Sequence, residues 1–200
     1  PEGELAEMAL AFPKKMNELG HEIRAFMPRF GVINERRHQL HEVIRLSGIN
    51  VVINDYDQPL VIKVASVPGA RIQVYFIDNE EYFKRKGTWE DAQGAFYDDN
   101  GARALFFSKS IIETIKKLGW QPDVVHVMGW MSTPLPVYLR QFHADDPHFA
   151  GTKVVFSLSD NAFAGNLDLG LEQGMAFDGV KDMDAFTQPT AESLYCGAVR

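Results

Sequence analysis

Apolar residues recur every three or four positions at the start of the chain. Leu5, Met8, Ala9, Phe12, Met16 and Leu19 fall on one face of a helix of about four turns. Pro13 lies inside this pattern and is expected to bend the helix or remove one of its hydrogen bonds, and Gly20 is its stop. Glu22–Met27 is a short strand closed by Pro28 and Gly31. From Leu40 to Asp78 the period changes to short β-rich runs separated by Gly, Pro, Asn or Asp: Leu40–Leu46, Ile49–Ile53, Leu60–Val67 and Arg71–Ile77. The first three predict an antiparallel hairpin or meander, and the fourth returns to the main sheet. Glu80–Lys86 is a short charged helix, and Gly87–Tyr97 a loop and candidate mobile segment. Ala102, Leu105, Phe106, Ile112, Ile115 and Leu118 form the apolar face of the next helix, capped by Asp98, Asp99 or Asn100 and ended by Gly119 after Lys116 and Lys117. Asp123–Val127 reads as a buried parallel strand. A helix over residues 133–143, a strand over Lys153–Leu158, a loop over Asn161–Asp178 and a short strand at Asp184–Thr187 complete the pattern.

Helix, strand, helix, strand in this order predict an α/β fold: a Rossmann-like, mostly parallel sheet with helices on both faces and an antiparallel insertion near residues 40–67. In such sheets ligands bind outside the carboxyl ends of the strands. The turn after Val127, with His126, Met128 and Trp130, is therefore the first place to look for chemistry. A histidine inside a strand is more often a satisfied core residue than a catalyst. Trp130 suits either packing or a sugar platform.

Two hundred residues suit one domain. The formal charge of −7 argues against a general nucleic-acid or anionic-membrane binder. Arg24, Arg29, Arg36 and Arg37 make one corner locally basic, which reads first as a solvated loop and second as an anion or sugar contact. Cys196 is the single cysteine, which excludes an internal disulfide and a cysteine-based zinc cluster and fits the cytoplasm. No apolar stretch is long enough to span a bilayer. No residue pattern calls for a metal or cofactor, and no G-x-G-x-x-G follows a strand. The chain begins at Pro1 without a signal-peptide pattern, so it is expected to be a fragment whose first strand precedes residue 1.

Four segments carry a resemblance. Gly20–Gly31 is similar to the "GH-x-V-x-x-x-x-P-x-Y-G" segment of bacterial glycogen and starch synthases. Tyr97-Asp98-Asp99-Asn100 with Arg103 resembles their "Y-x-D-N-x-x-R-F" helix start. Pro122–Trp130 resembles "P-D-V-V-H-x-H-D-W", and Lys153–Leu158 resembles "K-T-V-F-T-I-H-N". Ile33–Arg37 and His41–Gly48 look most like a Bacteroidetes branch of these synthases. The resemblance implies the amino-terminal, acceptor-side domain of a GT-B glucosyltransferase. Such an enzyme moves glucose from ADP-glucose, gripped mainly by a carboxy-terminal domain absent here, to an α-1,4-glucan with retention. The fragment alone is expected to be inactive.

Carried over residue by residue, the resemblance implies His126 and Met128 at the catalytic positions. It implies Gly3, Tyr97, Asn100, Arg103, Trp130, Asp160 and Asn161 as substrate contacts. Asn100 also makes sense as a plain helix cap, and Arg103 as holding a carboxylate in the loops or an anion, or equally as a solvated residue. The sequence departs from the family where the chemistry lies. The family's "K-T-G-G-L" appears as Pro1-Glu2-Gly3-Glu4-Leu5, and Glu2, Glu4 and Glu7 put negative charge where a diphosphate would sit. Its second histidine is Met128, which exchanges no proton. The following aspartate is Gly129, and "H-N" is Ser159-Asp160. The alternative reading is a degenerate homologue that binds glucan or a partner without transfer.

Overall fold

The computed structural model describes residues 4–157 and 169–183. In chain order its elements are α1 (Glu4–Glu18), β1 (Arg24–Pro28), β2 (His41–Glu42), β3 (Ile49–Ile53), β4 (Tyr56–Ser66), β5 (Gln73–Asp78), α2 (Glu80–Phe83), α3 (Asn100–Leu118), β6 (Val124–Met128), α4 (Pro134–Phe142), β7 (Lys153–Ser157) and α5 (Leu169–Phe177), with a 3₁₀ turn at Trp130–Ser132. The architecture is mixed α/β with two parallel pairings, β1 with β5 and β6 with β7. The chain packs as two compact units: Pro1–Ile49 with Pro59–Thr88, and Asn50–Gln58 with Trp89–Arg200. The described strands fall into two hydrogen-bonded groups, β1 to β5 and the pair β6-β7.

The larger group has the strand order β1-β5-β4-β2, with β3 also on β4. β1 and β5 run parallel, Arg24 opposite Gln73 and Pro28 opposite Ile77. The antiparallel insertion is the link between them. β4 alternates as a half-buried strand should, with Gln58, Leu60, Ile62 and Val64 turned inward. The strand expected over Leu40–Leu46 shrinks to His41 and Glu42. Val43–Leu46 is instead a turn, with Leu46 and Ser47 N–H donating to Val43 C=O. A side chain explains the switch: Ser47 Oγ accepts from Ile62 N–H at 3.0 Å, taking the place of a ladder carbonyl.

Gly31 follows β1 and donates to Phe83 C=O at 2.7 Å. A Cβ there would lie 2.1 Å from the Arg85 carbonyl oxygen, so this close approach of two backbones admits only glycine.

The second unit is built on α3. Leu105, Phe106, Ile111, Ile112 and Ile115 are buried, each worth about 1.5–3 kcal/mol relative to exposure. Gly119 ends the helix as expected, left-handed at φ 62°, its N–H on Ile115 and Lys116 C=O. The β3–β4 hairpin turns at Asn54 and Asp55, both at positive φ (49° and 69°), the signature of a type I′ turn. Its backbone is tied to α3 by Lys109 Nζ, which donates to Val52 C=O (2.7 Å) and to both oxygens of Asp178 (2.9 and 2.7 Å). Tyr138 of α4 donates to the same carboxylate. Burial first, and then Asp178, push the Tyr138 hydroxyl far above the usual phenol range.

Two expectations change here. Part of the loop expected over Asn161–Asp178 is α5. Gly174 hides its periodicity in the sequence but permits its packing, since a Cβ would meet Leu105 Cδ1 at 2.3 Å. β6 is not buried on both faces: Val127 is 2% exposed and Val124 51%. It has a single partner strand among the described residues. The strand expected at Asp184–Thr187 lies outside the described residues.

Gly31→Ala is expected to cost about 3 kcal/mol through backbone overlap. Gly119→Ala, with open space but a left-handed φ, should cost about 1 kcal/mol. Urea unfolding of the two variants beside the parent checks both values and their order.

Candidate functional site

Parallel pairing sets His126 opposite Val155 and Met128 opposite Ser157. Alternation along each strand then puts Val124, His126, Met128, Val155 and Ser157 on one face. His126 Nε2 lies 2.7 Å from Ser157 Oγ, a hydrogen bond whose direction follows the imidazole tautomer. Partial burial pulls the imidazole below the usual histidine range, so it is neutral at pH 7. It is neither a fully enclosed core residue nor a cation.

Met128 ends β6. Its carbonyl and that of Gly129 share the Ser132 hydroxyl, at 2.7 and 2.9 Å, and its thioether is a weak acceptor. Gly129, at φ 79°, lets the chain break from strand into the 3₁₀ turn. Thr133 Oγ1 donates to Trp130 C=O at 2.7 Å, and Pro134 starts α4 where a missing N–H costs nothing. Trp130 is 5% exposed and packs inside the unit.

Tyr97, Asn100 and Arg103 come together at the start of α3. The helix cap is Asp99, which makes no side-chain capping bond. Asn100 lies inside the helix, fully buried, and donates through Nδ2 to Trp89 C=O at 2.8 Å. Its Oδ1 accepts from Arg103 Nη1. Arg103 is fully buried, with its guanidinium carbon 5.2 Å from the Tyr97 ring centroid. Of the alternatives for Arg103, the solvated one is excluded. The cause is the burial of α3, which turns the arginine inward onto its own helix start. Gly3, Asp160 and Asn161 lie outside the described residues.

A second constellation stands in the first unit, at the carboxyl ends of β1 and β5. Arg29 Nε lies 3.0 Å from Asp78 Oδ1 and 3.4 Å from Glu35 Oε1. Lys63 Nζ lies 2.6 Å from Glu35 Oε1 and 3.0 Å from Asp78 Oδ2. Burial disfavours the Lys63 ammonium, but Glu35 and Asp78 more than offset this and raise it above the usual lysine range. The basic corner expected as a solvated loop is therefore buried at Arg29, 6% exposed.

The sequence marks Arg29 only as part of a basic corner and gives no functional signal for Ser157, Ser132 or the other members of the ring. The serines carry no periodic signal, and the ring's members are up to 49 positions apart (Arg29 to Asp78). A groove of about 510 Å³ lined by Pro136, Leu139, Arg140, Phe149, Val154 and Phe156, among others, lies on the face of β7 opposite Ser157 and holds none of the candidate residues. Among the described residues no group of three or more His, Cys, Asp or Glu is placed to hold a metal ion. No described helix is long and apolar enough to cross a membrane.

The sequence profile of the starch synthase catalytic domain matches residues 1–197. Glycogen synthase of Chlorobium limicola is 34% identical over 195 residues, which cover 97% of this chain and 40% of that protein. Glycogen synthase of Chlorobaculum tepidum is 40% identical over 152 residues, 76% of this chain and 31% of that protein. The catalytic domain of starch synthase IV from Arabidopsis thaliana, bound to ADP and acarbose, superposes at a TM-score of 0.66 and 18% identity over 78% of this chain and 30% of that one. At that identity the likeness is one of fold. The chain spans less than half the length of these relatives.

The lowered His126 fixes the sign of a pH effect. Between its folded and its higher unfolded pKa the unfolded state binds more protons, so stability falls as pH drops through that window. His126→Gln, which keeps a group able to reach Ser157, should remove this part of the acid sensitivity. Thermal midpoints of parent and variant between pH 7 and the acid limit check it, and parallel curves would contradict it.

Proposed function

Because the chain belongs to the starch synthase catalytic domain family, we propose that it is the acceptor-side domain of a retaining glucosyltransferase that moves glucose from ADP-glucose to an α-1,4-glucan in the cytoplasm. The observation that carries this reading is the carboxyl end of β6 and β7. His126, Met128 and Ser157 share one face there beside the Gly129 turn, within a chain whose family match runs over nearly its whole length.

Retaining transfer needs a stabilised oxocarbenium-like centre and a neutralised diphosphate. A neutral His126 brings no positive charge, and Met128 exchanges no proton. The residues of this chain therefore bind and orient, while the charge that meets the diphosphate comes from the length of relatives that the chain does not span. Alone, the chain is inactive. A second reading, a glucan-binding homologue without transfer, is favoured by one observation: at the family's histidine position the side chain is a thioether, a weak acceptor with no proton to exchange.

Glucose incorporation from labelled ADP-glucose into glycogen, by the full-length protein carrying these residues and by its Met128→His variant, separates the two. Transfer by the parent is the expected outcome. Transfer only by the variant would locate a lost function at that one position. Glycogen retention without transfer in either would establish the second reading.

A further inference from the structure

We propose that the charged ring at the carboxyl ends of β1 and β5 binds a neutral polyhydroxylated ligand, with Arg29 as donor and Glu35 as acceptor. This rests on the glucan reading above and adds a distinct place where glucan hydroxyls are held.

The argument begins with an unmet need. A guanidinium carries five N–H donors, and leaving them unpaired in a buried place is costly. Arg29 is 6% exposed. Its charge is compensated by Asp78 at 3.0 Å and Glu35 at 3.4 Å, both nearest to Nε. Yet Nε and Asp78 Oδ1 are both sealed from solvent with no well-formed hydrogen bond. The pair thus has the distance of an ion pair without the alignment of a hydrogen bond. Nη1 and Nη2 make no hydrogen bond to any described residue either, and neither is among the sealed atoms. They are the donors left to face a ligand.

Charge decides what kind of ligand. Arg29 and Lys63 are balanced by Glu35 and Asp78, so the ring has no excess charge to draw in an anion. Glu80 adds a carboxylate nearby. Lys84 chiefly holds its carboxyl below the usual range, and Arg29 and Lys63 are close enough to add to the effect. An incoming phosphate would meet that carboxylate as well as the two in the ring. A neutral ligand meets no such barrier. Glu35 is 37% exposed at its side chain. Lys63 and Arg29 both approach its Oε1, and no bond among the described residues uses Oε2. Donor nitrogens beside an open carboxylate oxygen match a sugar hydroxyl pair, in which every hydroxyl both donates and accepts.

Position and rigidity agree with this use. Arg29 directly follows β1 and Asp78 ends β5, at the edge of the parallel pair where α/β sheets take their ligands. Gly31, pressed onto the Arg85 backbone, fixes the turn that carries Arg29, and Arg29 N–H is bound to Ile77 C=O at 2.8 Å.

The test follows the Arg29 side-chain Nε resonance by NMR while the full-length protein is titrated with maltohexaose and, separately, with inorganic phosphate. Maltohexaose should shift the resonance. Glu35→Gln and Arg29→Lys should each weaken overall maltohexaose binding about tenfold, the scale of one hydrogen bond to a charged group. Glu35→Gln takes a partner from Lys63, 2.6 Å away, so its thermal midpoint should fall, while its amide spectrum shows that it stays folded at the titration temperature. If the protein binds maltohexaose while the Arg29 signal stays still and both variants bind normally, this proposal falls and the glucan reading stands. If maltohexaose does not bind at all, both fall. A shift with phosphate but not with maltohexaose would make the ring an anion site and overturn the proposal.

Discussion

A helix buried on nearly all sides gives its polar residues no route to solvent, and α3 is such a helix. Its apolar side chains fill the second unit, and α4, α5 and the 3₁₀ turn at Trp130 pack against it. Arg103 must then find its partners inside. It does so one turn back, on Asn100 Oδ1 and over the Tyr97 ring. Asn100 in turn holds Trp89 C=O, which also accepts from Tyr97 N–H. Residues that would serve a ligand in an open helix start are here used to close the loop from Trp89 to Tyr97 onto the core. At Gly174 in α5 the absence of a Cβ leaves room for the Leu105 side chain, which a larger residue would have to displace.

The first unit depends on a different constraint, the burial of charge. Two cations and two carboxylates share a small volume at the ends of β1 and β5. Breaking such a cluster leaves a buried charge alone, which is far costlier than the cluster is stabilising. This favours a fixed geometry over a large gain in stability. In both units the polar groups gather where parallel strands end, and in both they are neutral overall: an uncharged imidazole with a serine, and a ring that sums to zero. Neutral, directional hydrogen bonding suits a sugar polymer better than a diphosphate. That agrees with the acidic residues Glu2, Glu4 and Glu7 near the start of the chain.

Periodicity and punctuation carry the local structure. The spacing of Leu105, Phe106, Ile112 and Ile115, closed by Gly119, specifies α3 because backbone geometry and capping are set by neighbouring residues. The alternation in Leu60–Val64 and the Asn54-Asp55 turn specify the hairpin for the same reason. The motif segments around Gly20–Gly31, Tyr97–Arg103, Pro122–Trp130 and Lys153–Leu158 were enough to indicate the family, since a motif is a local pattern too. Where neighbours were not the deciding partners, the reading went astray: Val43–Leu46 is a turn because Ser47, not a strand, answers Ile62, and α5 shows too little amphipathic period to be seen.

Only the tertiary structure decided which polar residues are spent on the fold and which remain for a ligand. Burial is a property of what the rest of the chain brings near. Arg29 and Arg103 look alike as arginines beside promising motifs. Arg103 is sealed against its own helix start, while Arg29 meets Asp78 and Glu35 from distant strands and loops with donors still unmet. Likewise the sequence determined that His126 and Met128 end one strand. The register of β6 against β7 decided that Ser157 would hold the imidazole. A single strand carries no information about which position of its neighbour it will face.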